Sequence, residues 1–508
     1  MMEQLKTVLL LCLIGLSLFL TYQLWYGQKP AELVAEDVYE QVELETPRSL
    51  EETVVPYRIV LNGGNTNYLY SKGKPGFDEL WQELSDLLKN IENNFFSEDQ
   101  NGPEEEGLRC LACYFDPALP AGDEKPWLPG LSTGSIEILN LYCLEDSYWL
   151  AIKKADQEEK QYLLLDQAKA AQFSAILDNL DPENETAYSL LTVDLINEIM
   201  QDDPIEDDPI EDDPIEDDPV EDDPVEDDPV EDDPVEDDPT EENTNEDNLL
   251  EKEIDIRASI YVPLEELFME KFNVEPENLE KELLLKTFFV DYNLVREIEE
   301  RDGSLLYTDG EKGLRLSNNR FEYSYPRLEE GQTTVNYSEA LRKSSSLISF
   351  HGGWPENLRL ADLSLNSRAG LWFYVAEWTM YKNGYPFLTG QPTRASFNDQ
   401  GLFHFTRSLY NPEAPVENFE EELPVSSDKI TVEVAAWTDA LLQAISNIED
   451  TATDIGSRLR LGALELAYAV TTSEGQLRGI PVWFVIINGE EIILEADTLE
   501  TINKEDLL

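Results

Sequence analysis

One short pattern in the chain contains a residue that could do covalent chemistry. Gly130-Leu131-Ser132-Thr133-Gly134 matches the turn that presents the nucleophilic serine of many hydrolases. That turn needs a strand before the serine and a helix after it. Here Trp127-Leu128-Pro129 comes before the serine and a predicted strand, Ile136–Leu141, comes after it. The sequence therefore argues against catalysis, and a secreted hydrolase using Ser132 stays only as an alternative.

The cysteines and histidines do not form a recognisable metal or redox site. Cys110 and Cys113 have the spacing of a redox pair, but the strand–helix context of such a pair is missing. A zinc site needs four ligands, and that region adds only Cys143 and no histidine. The cysteines are predicted to form either a structural disulfide that can include Cys143 or buried thiols. We predict no enzyme activity, no metal and no cofactor.

The composition indicates folded domains with an extreme negative charge. Among 508 residues, 107 are acidic and 36 are basic, which gives a formal net charge of -71. The hydrophobic fraction of 41% is enough for sizeable cores, so wholesale disorder is excluded. Nucleic acids are bound by neutralising their phosphates with Lys and Arg. The charge therefore excludes a nucleic-acid binder, and it fits either saline or alkaline surroundings or simply an acidic lineage.

Part of the acidity lies in a repeat. From Asp202 to Glu241 the unit Asp-Asp-Pro-(Ile/Val/Thr)-Glu occurs eight times, with three negative charges in each unit. A proline at every fifth position prevents a continuous helix, and the like charges oppose collapse. Residues 201–248 are therefore predicted to be an extended, solvated linker, in which the repeat itself is up to ~120 Å long at ~3.1 Å per residue.

The N-terminus has the pattern of a membrane anchor. A short head, residues 1–6, precedes a nearly continuous apolar run over residues 7–27, and about 20 helical residues span a bilayer core. Interfacial aromatic residues, among them Tyr26, stand at its far end. We predict an uncleaved signal anchor, with a cleaved signal peptide as the alternative. The N-terminus is then cytoplasmic, and the bulk of this single-pass cell-membrane protein is extracytoplasmic.

A polar stripe on the anchor could contact another transmembrane helix. Ser17 and Thr21 are spaced i, i+4, with Gly15 nearby and Gln23 beyond. Small and hydroxyl-bearing residues allow transmembrane helices to approach and to hydrogen-bond to each other. The alternative is that both hydroxyls bond to their own backbone and face lipid.

Three α+β domains are expected outside the membrane, at residues 53–200, 249–355 and 356–508, after a juxtamembrane spacer at 28–52. The strands do not alternate regularly with helices, so we expect curved antiparallel sheets with packed helices rather than a parallel doubly wound sheet. Helical patterns are predicted at Phe77–Ile91, Leu177–Met200, Pro263–Phe272, Tyr337–Phe350 and Ile430–Ile448. Tight turns are predicted at Asn62-Gly63, Asp309-Gly310, Asn383-Gly384 and Asn488-Gly489. Core positions are predicted for Trp372, Trp378, Trp437 and Trp483.

The order of several short motifs resembles one known family. The motifs are Leu20-Thr21-Tyr22-Gln23-Leu24-Trp25, Val55-Pro56-Tyr57-Arg58-Ile59, Phe115-Asp116-Pro117-Ala118-Leu119-Pro120, Ile260-Tyr261-Val262-Pro263, Tyr307-Thr308-Asp309-Gly310, Ser349-Phe350-His351-Gly352-Gly353-Trp354 and Ile480-Pro481-Val482-Trp483. In this order and spacing they resemble the YycH family of regulatory proteins of Gram-positive bacteria. The resemblance covers most of the chain outside the acidic repeat.

The resemblance implies a membrane-anchored accessory of the YycG (WalK) sensor histidine kinase that acts with a YycI-like partner protein. Such proteins restrain or tune the kinase and so adjust cell-wall metabolism, through transmembrane-helix contacts and outer domains. The resemblance implies that the anchor contacts the kinase through Ser17, Thr21, Tyr22, Gln23 and Trp25. The acidic repeat departs from the family pattern, and it is expected to separate the first domain from the rest. A cell-surface stalk or adhesin remains a second alternative.

Overall fold

The structure is a computed structural model that describes most of the chain after residue 45. The described residues are 46–91 (without 64, 65 and 75), 103, 109–121, 127–128, 134–144, 147–180 (without 156 and 158), 186–201, 253–329 (without 257, 278, 318 and 319), 335–411 (without 356, 390 and 391), 430–451 and 458–507 (without 474 and 475). The predicted anchor, most of the spacer and the acidic repeat lie outside these residues. None of the described helices combines the length and the apolar character that a bilayer crossing needs.

The described residues before the repeat form three longer helices, one short helix and seven strands. They are α1 (Leu50–Thr53), β1 (Arg58–Asn62), β2 (Asn67–Ser71), α2 (Phe77–Lys89), β3 (Arg109–Ala121), β4 (Gly134–Leu144), β5 (Ser147–Lys154), β6 (Lys160–Leu164), α3 (Gln167–Asn179), β7 (Ala187–Leu190) and α4 (Val193–Gln201). Helix α2 confirms the predicted 3.6-residue pattern, because Phe77, Leu80, Trp81, Leu84 and Leu88 are all buried.

The described residues after the repeat are richer in strands. The first group is β8 (Glu253–Ile256), β9 (Tyr261–Pro263), β10 (Phe268–Asn273), β11 (Glu275–Pro276), α5 (Lys281–Phe288), β12 (Arg296–Glu299), β13 (Leu305–Thr308), β14 (Gly313–Ser317), β15 (Arg320–Ser324), α6 (Pro326–Glu329) and α7 (Tyr337–Phe350). The second is β16 (Leu358–Arg368), β17 (Leu371–Lys382), β18 (Tyr385–Leu388), β19 (Thr393–Phe397), β20 (Leu402–Ser408), β21 (Tyr410–Asn411), β22 (Ile430–Glu433), α8 (Trp437–Thr451), β23 (Arg458–Ser473), β24 (Gln476–Ile487) and β25 (Glu490–Glu495).

Two large sheets organise these strands. The N-terminal sheet has the order β6-β5-β4-β3-β1-β2-β7-β9. The C-terminal sheet follows the path β12-β13-β14-β15-β20-β19-β17-β18-β23-β24-β10-β22, with β16, β25 and β8 paired beside it. Antiparallel pairing dominates, and the exceptions among the described strands are β18 and β8, which each run parallel to β23. The predicted α+β class with antiparallel sheets is therefore confirmed.

Three predicted helices are wrong in whole or in part. Leu177–Met200 is the end of α3, strand β7 and helix α4. Pro263–Phe272 contains the end of β9 and most of β10, and Ile430–Ile448 begins as strand β22 before α8 starts at Trp437. In the last two cases short strands pair with partners far away in sequence, and these pairings override a local helical pattern.

The strands on either side of the acidic repeat lie next to each other. Strand β7 precedes the repeat and β9 follows it, and they pair antiparallel with Leu190 opposite Tyr261. The residues that flank the tract therefore return to one place in the N-terminal sheet. The expectation that the tract separates the first domain from the rest is wrong.

Further contacts join the regions before and after the repeat. The Tyr337 hydroxyl of α7 donates to the carbonyl oxygen of Ala118 on β3 at 3.1 Å. The Arg58 guanidinium of β1 lies 3.6 Å from the Glu465 carboxylate of β23. These contacts hold the N-terminal sheet against the C-terminal one.

Candidate functional site

The transmembrane residues predicted to contact a kinase lie outside the described residues. Ser17, Thr21, Tyr22, Gln23 and Trp25 all precede residue 46, where the description begins. Two places in the described part stand out. One is the segment through which the chain enters the folded part. The other is the seam where the two sheets meet.

The entering segment begins with a well-capped turn of helix. Ser49 is the N-cap of α1, and its hydroxyl oxygen accepts from the Glu52 backbone N–H at 3.3 Å. In return the Ser49 N–H donates to the Glu52 carboxylate at 2.7 Å. These hydrogen bonds favour the charged carboxylate and lower the pKa of Glu52. The reciprocal pair is a capping box, which fixes the direction in which the chain arrives.

This turn is held on helix α7 and on the segment after it by two contacts of Arg48, which we name the Arg48 clamp. The guanidinium carbon of Arg48 lies 4.3 Å from the ring centroid of Trp354. The Ser345 hydroxyl donates to the Arg48 carbonyl oxygen at 3.0 Å. Trp354 is itself buried, and its indole N–H donates to the Ser349 hydroxyl at 3.0 Å. The clamp therefore connects the first described residues after the predicted anchor to the central part of the fold.

The turn after α7 is stabilised by a buried arginine. Gly352 and Gly353 have φ angles of 114° and 78°, which side chains other than glycine rarely adopt. Arg407 of β20 donates through Nη1 to the Gly353 carbonyl oxygen at 2.8 Å and to that of His351 at 3.3 Å. Its Nη2 contacts both carboxylate oxygens of Glu277, at 2.9 and 3.0 Å. The Gly352-Gly353 motif is thus a turn, and its close approach to Arg407 leaves no room for a Cβ at Gly352.

His351 lies beside this turn in an aromatic cluster. Its ring centroid is 4.5 Å from that of Phe288 and 5.9 Å from that of Phe405, and Nδ1 is 2.8 Å from the Leu347 carbonyl oxygen. Burial is the largest cause that lowers the pKa of His351, to about 4, and the nearby charges of Arg407 and Lys312 act in the same direction. The imidazole is therefore neutral at neutral pH.

Replacing His351 by phenylalanine should remove one component of the acid sensitivity. A lowered pKa in the folded state means that the unfolded chain binds the proton more tightly, so stability falls as pH falls from about 6.5 towards 4. Because the ring keeps some exposure, we expect this component to reach about 2 kcal/mol. The free energy of unfolding of both proteins should be measured by urea denaturation across this pH range. His404→Phe is the control, since His404 is partly exposed on β20 beside Glu322 and lies outside the aromatic cluster. Parallel profiles for wild type and His351→Phe would contradict the assignment.

The seam between the sheets contains two adjoining cavities of about 770 Å³ and 320 Å³. Both are lined by Tyr57, Arg58, Asp116, Tyr261 and Glu465. These residues come from β1, β3, β9, β23 and their flanks, so the seam exists only when the two sheets are packed together. The Tyr114 and Tyr261 hydroxyls are 3.0 Å apart, in a hydrogen bond at the edge of the larger cavity.

The acidic side chains of the seam are held in an unfavourable environment. Desolvation, and then the charge of Asp362, raise the pKa of Asp116 to about 6. Desolvation also raises the pKa of Glu465, although Arg58 opposes this shift. Both carboxylates line the cavities, and neither is fully enclosed: Asp116 is exposed and the Glu465 side chain is 40% exposed.

The residues that the sequence singled out for chemistry are not brought together. Ser132 lies outside the described residues, and β4 begins at Gly134 directly after it. Cys110 and Cys113 on β3 are buried, Cys143 on β4 is partly buried, and these three described cysteines form no disulfide bond. Burial raises the pKa of Cys113. The buried-thiol alternative therefore fits Cys110 and Cys113.

The predicted tryptophan positions are mostly confirmed. Trp378 and Trp483 are fully buried, and Trp437 packs against the core. Trp372, by contrast, is 48% exposed near the start of β17, so its predicted core position is wrong. The alternation of apolar and polar residues in β17 does not indicate which of its apolar residues are covered, and at Trp372 the sheet is open to solvent.

Sequence reasoning missed the seam because its residues are dispersed along the chain. Tyr57, Arg58, Asp116 and Tyr261 belong to the quoted motifs, but nothing local indicates that they meet. Arg359 had no signal at all. The one indication of the seam in the sequence is that these polar residues stand inside otherwise apolar motifs, where a polar group needs a partner.

Comparison with known proteins assigns the family. A family model described as the N-terminal domain of the YycH protein matches residues 3–104, and one described as its C-terminal domain matches residues 257–495. The fold is similar to the crystal structure of YycH from Bacillus subtilis, with a TM-score of 0.51 and 12% sequence identity, over 88% of this chain and 98% of that chain. No curated protein matches the sequence. Since the two models together match well over half of the chain, it belongs to the YycH family.

Proposed function

We propose that this chain is a single-pass membrane protein whose extracytoplasmic part tunes, and on balance restrains, a sensor histidine kinase that controls cell-wall metabolism. The kinase is of the YycG (WalK) type, and a YycI-like protein takes part. The observation that carries the proposal is the match of both YycH domain models, one on each side of the acidic repeat. The protein acts by binding and not by catalysis.

The anchor is the proposed contact with the kinase. Residues 7–27 cross the membrane, and Ser17, Thr21, Tyr22, Gln23 and Trp25 are the side chains we assign to the interface. A helix that binds one kinase conformation more tightly shifts the equilibrium by its differential affinity alone. A tenfold shift needs only about 1.4 kcal/mol, which packing and one or two interhelical hydrogen bonds can supply.

The Arg48 clamp supports a role for the ectodomain in positioning this helix. The clamp lies at the first described residues after the anchor, and it joins them to α7 through Ser345 and to the segment after α7 through Trp354. α7 in turn contacts β3 through Tyr337 and Ala118. A short series of direct contacts therefore links the entering segment to β3, and residues 28–45 join that segment to the anchor along the chain.

Replacing Ser17 and Thr21 together by leucine should relieve restraint of the kinase. The double substitution removes the hydroxyls and the space for close approach while keeping the anchor apolar. We expect a shift of roughly tenfold in the output of a transcriptional reporter of the kinase pathway. An Ile14→Leu, Leu18→Ile double variant keeps the i, i+4 spacing on a neighbouring face and serves as control. Unchanged output at normal expression would remove this helix face from the mechanism.

A further inference from the structure

The smaller seam cavity contains a buried arginine with unused donors. Arg359 of β16 is 5% exposed and lines the cavity of about 320 Å³. Its Nη2 donates to the Tyr381 hydroxyl, and its guanidinium carbon lies 4.5 Å from the Tyr381 ring centroid. Within the described part of the chain, Nε and Nη1 have no hydrogen-bond acceptor. Leaving a buried donor unsatisfied costs about 1–3 kcal/mol, so these donors favour an acceptor brought from outside.

An unpaired carboxylate lines the same cavity. No described side chain forms an ion pair or a hydrogen bond with Asp116. Asp362 raises its pKa by repulsion, whereas Arg359 lowers it. A cationic group beside Asp116 would relieve this repulsion and allow the carboxylate to stay charged.

The remaining charges of the cavity have partners. Arg58 and Glu465 are 3.6 Å apart. Lys74 lies 5.9 Å from the ring centroid of Tyr188 and 6.0 Å from that of Tyr385. Among the described residues of this cavity, the groups that have neither a hydrogen bond nor an ion pair are Nε and Nη1 of Arg359 and the carboxylate of Asp116. A simple anion would satisfy the first and be repelled by the second, and a simple cation would do the reverse.

We propose that this cavity binds a small zwitterion, an α-amino acid or a short peptide with free termini, whose carboxylate bonds to Arg359 and whose ammonium group pairs with Asp116. A guanidinium is suited to bidentate carboxylate recognition. The cavity is at the lower end of the size range of ligand pockets, and it lies between two structural units, where such pockets are common. The Tyr57 and Tyr385 rings, which line it, supply apolar walls for a side chain. Since the site joins β3 to β16, an occupant would also strengthen the seam.

Calorimetric titration of the purified full-length chain in detergent tests this assignment. The probes are glycine, L-alanine, D-alanine and glycylglycine. The matched compounds are propionate and N-acetylalanine, which lack the ammonium group, and ethylamine, which lacks the carboxylate. We expect at least one zwitterion to bind with a dissociation constant of about 1 mM or tighter, and the single-charge compounds to bind at least roughly tenfold more weakly.

Two variants locate the binding within the cavity. Arg359→Met should weaken zwitterion binding by roughly tenfold or more, and Asp116→Asn should bring alanine down to the level of N-acetylalanine. Arg478→Met is the control, because Arg478 is exposed on β24 away from the cavity. Retained intrinsic tryptophan fluorescence shows that each variant is folded.

The proposal is overturned if no zwitterion binds at about 10 mM, if propionate binds as tightly as alanine, or if Arg359→Met binds as well as wild type. The measurement needs no kinase, so it can fail while the proposed regulatory function stands, and the reverse also holds.

Discussion

Replacing Arg407 by methionine is expected to lower the free energy of unfolding by about 3–5 kcal/mol, because it removes one partner of a buried ion pair. The Arg407 side chain is 1% exposed and its guanidinium contacts both oxygens of Glu277. It also bonds to two backbone carbonyl oxygens of the turn after α7. Methionine fills a similar volume but leaves the Glu277 charge and both carbonyl groups without their donor. Urea denaturation of the full-length chain at neutral pH measures the effect.

Two further variants make this prediction specific. Arg315→Met removes an arginine that pairs with Glu300 and Asp302 on the surface, where its side chain is 38% exposed. We expect that change to cost about 1 kcal/mol or less. Adding Glu277→Gln to Arg407→Met should restore part of the loss, since the uncompensated charge is then removed. Equal losses for the Arg407 and Arg315 variants would show that the buried pair has no special role.

The turn at Gly352 and Gly353 illustrates what the sequence could predict. Two consecutive glycines after a helical pattern indicate a chain reversal, and both have positive φ. Helix α7 has the predicted bounds, Tyr337–Phe350. The tight turns at Asn383-Gly384 and Asn488-Gly489 are also confirmed, by the positive φ of their residues. All of these features depend on residues close together in sequence.

The features that the sequence did not predict depend on contacts between distant segments. Strand β10 pairs with β22 and with β24, which are more than a hundred residues further along the chain. Likewise β9 completes the N-terminal sheet although the acidic repeat stands between it and β7. Local periodicity carries no information on such pairings, and for that reason β10 and β22 were predicted as helix.

The candidate sites divide in the same way. The clamp residue Trp354 and the neighbouring His351 stand in one of the quoted motifs, so the sequence pointed to this part of the fold. Arg359, Asp116 and Glu465 meet only because the two sheets pack face to face. The sequence alone does not distinguish an arginine that is buried in a strand from one that is exposed. The charge balance of the seam is therefore a property of the tertiary structure.

Releasing the Arg48 clamp should uncouple the ectodomain from the anchor. The double variant Arg48→Ala, Ser345→Ala removes the cation–π contact with Trp354 and the hydrogen bond to the Arg48 carbonyl oxygen. The two contacts together stabilise the docked segment by about 2 kcal/mol, so the undocked population should rise roughly 30-fold. Hydrogen exchange of the Thr53 and Val54 amides, which donate to the Ser49 and Leu50 carbonyl oxygens, reports this opening directly.

A matched variant on the same helix separates release of the clamp from damage to α7. Arg342→Ala with Ser346→Ala changes the same residue types, but the Ser346 hydroxyl bonds to the Arg342 carbonyl oxygen and not to the entering segment. Only the clamp variant should speed exchange at Thr53 and shift the kinase reporter towards the level given by the anchor without its ectodomain. Faster exchange with an unchanged reporter would mean that the anchor acts independently of the folded domains. If exchange stayed slow, the entering segment would be held by contacts other than the clamp.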